Sequence, residues 1–142
     1  MIDNRLEYSK MFEVESRLWW YKILHGKVLT QLQKHFGTHT KDIQILDAAC
    51  GTGGLLQYLT DQGYKNNTGF DYSEHAVDFS KERNLNVFKG DLRKVDAFQP
   101  GQKFDAICCN DALYFLTEAE IVHTLTVFKN RLNAGGLIII NI

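Results

Sequence analysis

Ile43-Gln44-Ile45-Leu46-Asp47-Ala48-Ala49-Cys50-Gly51-Thr52-Gly53-Gly54 decides the fold. Ile43 to Leu46 is a short β-rich run that ends on an acid, Asp47. The glycine cluster Gly51, Gly53, Gly54 follows, and then Leu55, Leu56 and Leu59 recur at helical spacing. A strand that runs through small residues into a helix is the first half of a βαβ unit.

Outward from this stretch the alternation continues. Asn67 to Phe70 reads as a second strand closed by Asp71, and Ser73 caps a helix through Lys81, because its hydroxyl can accept a first-turn N–H. Asn86-Val87-Phe88 is a third strand closed by Gly90-Asp91. Phe104 to Cys109 is a fourth, apolar enough to be covered on both faces. Thr117-Glu118-Ala119-Glu120 matches a capping box, and Ile121, Leu125, Phe128 and Leu132 form an apolar stripe behind it. Asn133-Ala134-Gly135-Gly136 is expected to stop that helix, and Leu137 to Ile142 to form a fifth, buried strand. The fold class is α/β: a Rossmann-like, mostly parallel sheet of about five strands with helices on both faces, preceded by amino-terminal helices.

Those amino-terminal helices occupy residues up to about His35, where Leu18, Trp19, Tyr21, Ile23, Leu24, Val28, Leu29 and Leu32 recur at spacings of three and four. Gly37 to Lys41 reads as a loop. The chain divides into a helical cover, residues 1–41, and a Rossmann-like core, residues 42–142, within one structural domain. Its 142 residues suit one domain, and 44% hydrophobic residues with a net charge of -1 exclude a disordered chain. No apolar run approaches the ~20 residues of a membrane-spanning helix, and Met1 to Arg5 lacks the layout of a secretory signal. The balanced charge gives no sequence-wide reason to expect nucleic acid or an anionic membrane as partner. Cys50, Cys108 and Cys109 offer no C-x-x-C pair, so no metal site is expected. Reduced thiols point to a cytoplasmic protein.

In open α/β sheets ligands sit beyond the carboxyl ends of the strands. Here those ends carry Asp47 with the glycine loop, Asp71, Gly90-Asp91-Leu92, and Asn110-Asp111. Glycine lets the backbone approach a ligand closely, and the helix after it points its first N–H groups that way. Asp71, about 20 residues past the glycines, is placed to accept two hydrogen bonds from a ribose diol. The dinucleotide fingerprint G-x-G-x-x-G fails: from Gly51 its last position is Leu56, and no P-loop lysine is present. What remains describes a nucleoside without a pyrophosphate. For each acid taken singly, a helix cap or turn role is the competing reading.

At this point the chain resembles the class I S-adenosylmethionine-dependent methyltransferases. Ile45 to Gly53 resembles that family's first motif, with Ala49 where glycine is usual. Phe104 to Leu113 resembles its fourth-strand motif, and Leu132 to Gly136 the turn before the fifth strand, with Ala134 where proline is common. The resemblance covers about residues 42 to 142. It implies S-adenosylmethionine as cofactor and S-adenosylhomocysteine as product. It implies that Ala49, Gly51 and Gly53 wrap the methionine part, that Asp71 binds the ribose, and that Tyr72 lines the adenine. Asp91 would face the adenine amino group, Leu92 its ring, and Asn110 the methyl donor.

By the same resemblance Tyr8, Trp19 and Trp20 are lid or acceptor-pocket residues, although Trp19 and Tyr21 equally fit packing of helices on the sheet. Tyr114 and His25 could reach the acceptor region. No residue earns assignment as a catalytic base; the activated donor requires no proton-relay triad, and an acceptor that needs deprotonation requires a base near its pocket. The expected reaction is in-line methyl transfer to an O, N, C or S atom of a small-molecule acceptor, and a homodimer is compatible with the sequence. The family sheet usually continues past the fifth strand, so the chain is expected to be a piece of a longer protein or to have its sheet completed by a partner. The competing function is a non-catalytic, nucleoside-cofactor-binding or partner subunit on the same fold.

Overall fold

The computed structural model describes residues 4–142. Two helices open the chain, α1 (Arg5–Val14) and α2 (Trp19–Phe36), separated by a turn at residues 15–18. Asn4 caps α1 by accepting the N–H of Leu6 at 2.8 Å. The alternating part follows: β1 (Ile45–Ala48), α3 (Gly54–Asp61), β2 (Asn67–Asp71), α4 (Glu74–Glu82), β3 (Val87–Lys89), β4 (Phe104–Asn110), α5 (Glu118–Asn130) and β5 (Leu132–Asn141). Irregular helical turns at Leu92–Ala97 and Leu113–Phe115 flank β4.

All the strand pairs are parallel, in the order β3-β2-β1-β4-β5. The strand order reverses between β1 and its neighbours β2 and β4, which opens a crevice at the carboxyl end of β1. All four residues of β1 are buried, as a central strand covered on both faces requires. Its side chains alternate between two cores. Ile45 joins Val28 and Leu32 of α2 and Leu55 and Leu59 of α3, while Leu46 and Ala48 join Phe70, Phe98, Val127 and Phe128 on the other face. Cys108 and Cys109 separate in the same way, one into each core, and both are free thiols.

Caps behave as their residue types dictate. Ser73 Oγ accepts the N–H of Ala76 at 3.5 Å, and Thr117 Oγ1 that of Glu120 at 3.2 Å. The capping box is completed differently from the usual form, because the Glu120 carboxylate accepts the Thr117 hydroxyl at 3.1 Å.

Three details of the sequence reading are corrected. Helix α5 ends at Asn130, before the glycine pair, and Leu132 already belongs to β5, paired with Phe104. Gly135, at φ +76°, lies within an irregularity of that strand: the register shifts between Phe104 and Ala106, and Leu137 then pairs with Ala106. β5 is half-buried rather than buried, because it forms the edge of the sheet, with Ile140 38% exposed. The buried face of α5 is Thr124, Val127 and Phe128, whereas Ile121 is only half-buried. Thr124 tolerates full burial because its hydroxyl donates to the Leu92 carbonyl at 2.7 Å.

Gly53 is one glycine on which this packing depends. It adopts φ +86°, and a β-carbon there would lie 2.5 Å from Leu85 Cδ1 and 3.0 Å from Ser80 Oγ. Gly53→Ala is therefore expected to cost about 1–3 kcal/mol, from the left-handed penalty and the clash together. Urea unfolding measures it, and an unchanged midpoint would contradict this packing.

Candidate functional site

A cavity of about 470 Å³ opens where the strand order reverses. Its floor comes from the ends of three neighbouring strands: Asp47 and Ala49 at the end of β1, Asp71 at that of β2, and Asn110 and Asp111 at that of β4. Its roof is α1 and the start of α2, through Tyr8, Met11, Val14, Trp20 and His25. Tyr114 and Phe115, with ring centroids 4.3 Å apart, wall the side beyond β4.

The loop after β1 is held by its own hydrogen bonds. Cys50 N–H donates to the Phe70 carbonyl at 2.9 Å, Gly51 N–H to Asp71 Oδ2 at 2.8 Å, and Gly53 N–H to the Cys50 carbonyl at 3.1 Å. Ser80 Oγ donates back to the Gly51 carbonyl at 3.1 Å. The Gly54 N–H goes to the Glu15 carboxyl. These four amides are thus taken inside the protein; of the first N–H groups of α3, expected to point at a ligand, that of Gly54 goes instead to Glu15. Ala49 sits at φ +63° and Asp111 at φ +54°, so the residues that directly follow β1 and β4 at this crevice are both strained.

Carboxyl groups dominate the electrostatics. Glu15, Asp47 and Asp71 all line the cavity and are only 4%, 3% and 6% exposed. Asp71 is anchored, its second oxygen accepting the Ser73 N–H at 3.0 Å. Asp47 has no hydrogen bond from the described residues. Its carboxyl is pushed well above the usual range, chiefly by burial and then by the charges of Glu15 and Asp71. Burial likewise raises Glu15 to about 7, against the lowering effects of the Arg83 guanidinium and the Gly54 N–H. His25 is pushed down to about 4 by burial and by Arg83, so its imidazole is neutral at pH 7. Lys10 is the cation among the lining residues, and it lies 3.5 Å from Glu7. Among the described residues no group of three His, Cys, Asp or Glu side chains is arranged to hold a metal ion, and no helix is long and apolar enough to cross a membrane.

The structure brings Ala49, Gly51, Asp71, Asn110, Tyr8, Trp20 and Tyr114 together around this one cavity. Tyr21 and His25 line it as well, whereas Gly53, Tyr72, Asp91, Leu92 and Trp19 lie outside it. Gly53 is fully packed between α3 and α4. Tyr72 is exposed, with Lys89 Nζ 5.5 Å and Arg93 Cζ 5.7 Å from its ring centre. Asp91 is occupied by Arg93, which donates to both of its oxygens at 3.0 and 2.9 Å. Leu92 points into the core under α5. Trp19 is 68% exposed and meets Trp20 edge-on at 6.2 Å. Sequence reasoning passed over Glu15 and left Asp47 without a role. Glu15 gave no signal beyond an acid in an N-terminal helical stretch, while Asp47 was visible as the acid that closes the first strand.

Residues 45–136 match a family model described as a methyltransferase domain. The chain is 30% identical over 106 residues to YqeM of Bacillus subtilis (strain 168), a protein named as a methyltransferase; the match covers 70% of this chain and 42% of that one. It is 28% identical over 100 residues to the dTDP-3-amino-3,4,6-trideoxy-α-D-glucopyranose N,N-dimethyltransferase of Streptomyces venezuelae, covering 68% of this chain and 40% of that one. A solved S-adenosylmethionine-dependent methyltransferase from Clostridium acetobutylicum superposes with a TM-score of 0.71 at 21% identity, over 96% of this chain and 56% of that one. The chain belongs to the methyltransferase domain family, and its fold is that of the class I, S-adenosylmethionine-dependent type. It spans about two fifths of the length of the curated relatives it matches.

Proposed function

We propose that this chain binds S-adenosylmethionine in the crevice beyond β1 and transfers its methyl group, by in-line displacement, to a small-molecule acceptor. The observation that carries the reading is the set of three buried carboxyl groups on the cavity wall, of which Asp47 has no hydrogen-bond partner among the described residues. A pyrophosphate would add negative charge beside these carboxyl groups, and would find the N–H groups of Cys50, Gly51, Gly53 and Gly54 already taken. A ligand with an ammonium and a sulfonium group is complementary to the same wall.

In this reading Asp47 receives the ammonium of the methionine part, Asp71 accepts the ribose hydroxyls, and Ala49 and Gly51 give the backbone room to approach. Tyr72, exposed on the same rim of the sheet, lines the adenine end. When bound, the cofactor supplies a methyl group already activated on sulfur. The protein's part is to align the two reactants, which contributes ~7–11 kcal/mol when the geometry is right, and to keep water out. The aromatic faces of Tyr8, Trp20 and Tyr114 shape the acceptor side, and a cationic sulfonium is attracted to such faces. No base is assigned: His25 is neutral and too weakly basic at pH 7 to draw a proton from an alcohol. The name of the Streptomyces relative supports a small-molecule acceptor.

Calorimetric titration with S-adenosylhomocysteine, with NAD in parallel, tests the cofactor. Binding of the first at micromolar or lower concentration, with none of the second, is expected. Binding of NAD alone, or of neither by a folded chain, would overturn the reading.

A further inference from the structure

Helix α1 roofs the cavity yet none of its own residues is buried. Its attachment to the core runs along one side. The Phe12 and Phe79 rings lie 5.1 Å apart, Arg5 Cζ sits 4.7 Å from the centre of the Phe79 ring, and Arg83 stacks 4.5 Å from that of Phe12 while donating to its carbonyl at 3.2 Å. Directly after α1 comes Glu15, whose carboxyl inserts into the core. It accepts the Thr52 hydroxyl and the Gly54 N–H, and pairs with Arg83 at 3.3 Å. One side chain thus connects the roof to the glycine loop, to the first turn of α3 and to α4. Gly54 is the receiving half of this seat, because a β-carbon there would collide with the Glu15 carboxylate. The roof in turn touches the loop: Met11 Sδ lies 3.2 Å from where a Gly51 β-carbon would stand.

We infer that Glu15 is a positioning residue, a latch whose seat on Thr52, Gly54 and Arg83 holds α1 closed over the cofactor loop. Its role in cofactor retention rests on the function proposed above; its role in holding α1 does not. A closed α1 sets Tyr8, Met11 and Val14 against the cavity, and release of Glu15 frees the roof, so that cofactor and product exchange through the same opening.

The latch carries a pH dependence of definite sign. The charged and titratable groups facing Glu15 are Arg83 at the C-cap of α4, Asp47 from β1 and Tyr21 from α2. His25 of α2, Glu7 and Lys10 of α1 and Asp71 of β2 line the same cavity. Seated, Glu15 titrates at about 7, whereas released into water it returns to about 4.5. The closed form therefore holds its proton more tightly. Closure is strongest below about 4.5, weakens as pH rises towards 7, and changes little above that.

Hydrogen exchange of the α1 amides, corrected for intrinsic rates and compared with sheet amides in the same sample, tests this without any ligand. In the unmodified protein, α1 protection should fall between pH 5 and 7. Glu15→Gln, which keeps the shape but cannot ionise, should flatten that profile. Glu15→Ala and Gly54→Ala should each speed α1 exchange by about tenfold or more at pH 6, with the sheet still protected. Dissociation of S-adenosylhomocysteine should quicken by a similar factor in both.

A wild-type pH profile in Glu15→Gln would overturn the latch. So would α1 protection unchanged by Glu15→Ala, or by Gly54→Ala should Glu15→Ala fail to fold. An unmodified protein that shows the α1 profile but binds no S-adenosylhomocysteine would instead overturn the cofactor reading and leave the latch standing.

Discussion

Asp71→Ala is expected to lower the affinity for S-adenosylhomocysteine by about two orders of magnitude. Hydrogen bonds to a charged group contribute ~1.5–3 kcal/mol each, and the ribose diol offers two donors. The structure adds a second reason for a large effect. The same carboxylate accepts the N–H groups of Gly51 at 2.8 Å and Ser73 at 3.0 Å, so its removal also releases the loop that shapes the cavity. Asp71→Asn keeps the volume but leaves one of these N–H groups facing an amide donor, and should fall between the two. Calorimetry on folded variants measures the series. Unchanged affinity in a folded Asp71→Ala protein would remove the ribose assignment. Gly51→Val, by contrast, is a poor probe of close approach, because Gly51 sits at φ +56° and valine would strain the backbone whether or not a ligand binds.

The largest loss of stability is expected from Arg131→Ala. Arg131 caps α5 and is only 8% exposed. Its guanidinium donates to the carbonyls of Gln102 at 2.6 Å, Gln99 at 2.8 Å and Val95 at 2.9 Å. These three bonds pin the segment before β4, in which Gln99 and Gly101 hold positive φ of 41° and 85°. Leaving the carbonyls unpaired costs ~1–3 kcal/mol each where they are buried. A total of about 3–5 kcal/mol follows, or a fall of roughly 10–20 °C in Tm. Arg131→Lys keeps the charge but loses the planar fork, and should recover less than half. A loss under about 1 kcal/mol in urea or thermal unfolding would contradict this role.

What the sequence disclosed follows from the range of the forces involved. The strands, the helices after them and their caps are local patterns of period two, period three to four, and single polar residues, so they could be read along the chain. The acids that end β1 and β2 were legible for the same reason, since chain order alone places strand ends on one rim. The end of α5 was misread because Gly135 suits a helix terminus and a bulge equally, and only pairing with β4 distinguishes them. Glu15 was missed because its burial depends on Thr52 and Arg83, 37 and 68 residues away. The outward side of Trp19 was undecided for a similar reason: spacing separates adjacent tryptophans around a helix, but the fold selects which one meets the cavity. Asp91 illustrates the converse, since its neighbour two residues on, Arg93, takes a carboxylate that strand order had made available.

The measurement that bears most directly on the account is a map of amide chemical-shift changes as S-adenosylhomocysteine is added to isotope-labelled protein. The largest changes should fall on Asp47 to Gly53, on Asp71 and Tyr72, on Asn110 to Ala112, and on the α1 amides that roof them. Changes centred elsewhere, for example on the smaller cavity beside Asn67 and Asn86 at the opposite end of β2, or none at saturating ligand, would contradict the crevice beyond β1 as the cofactor site.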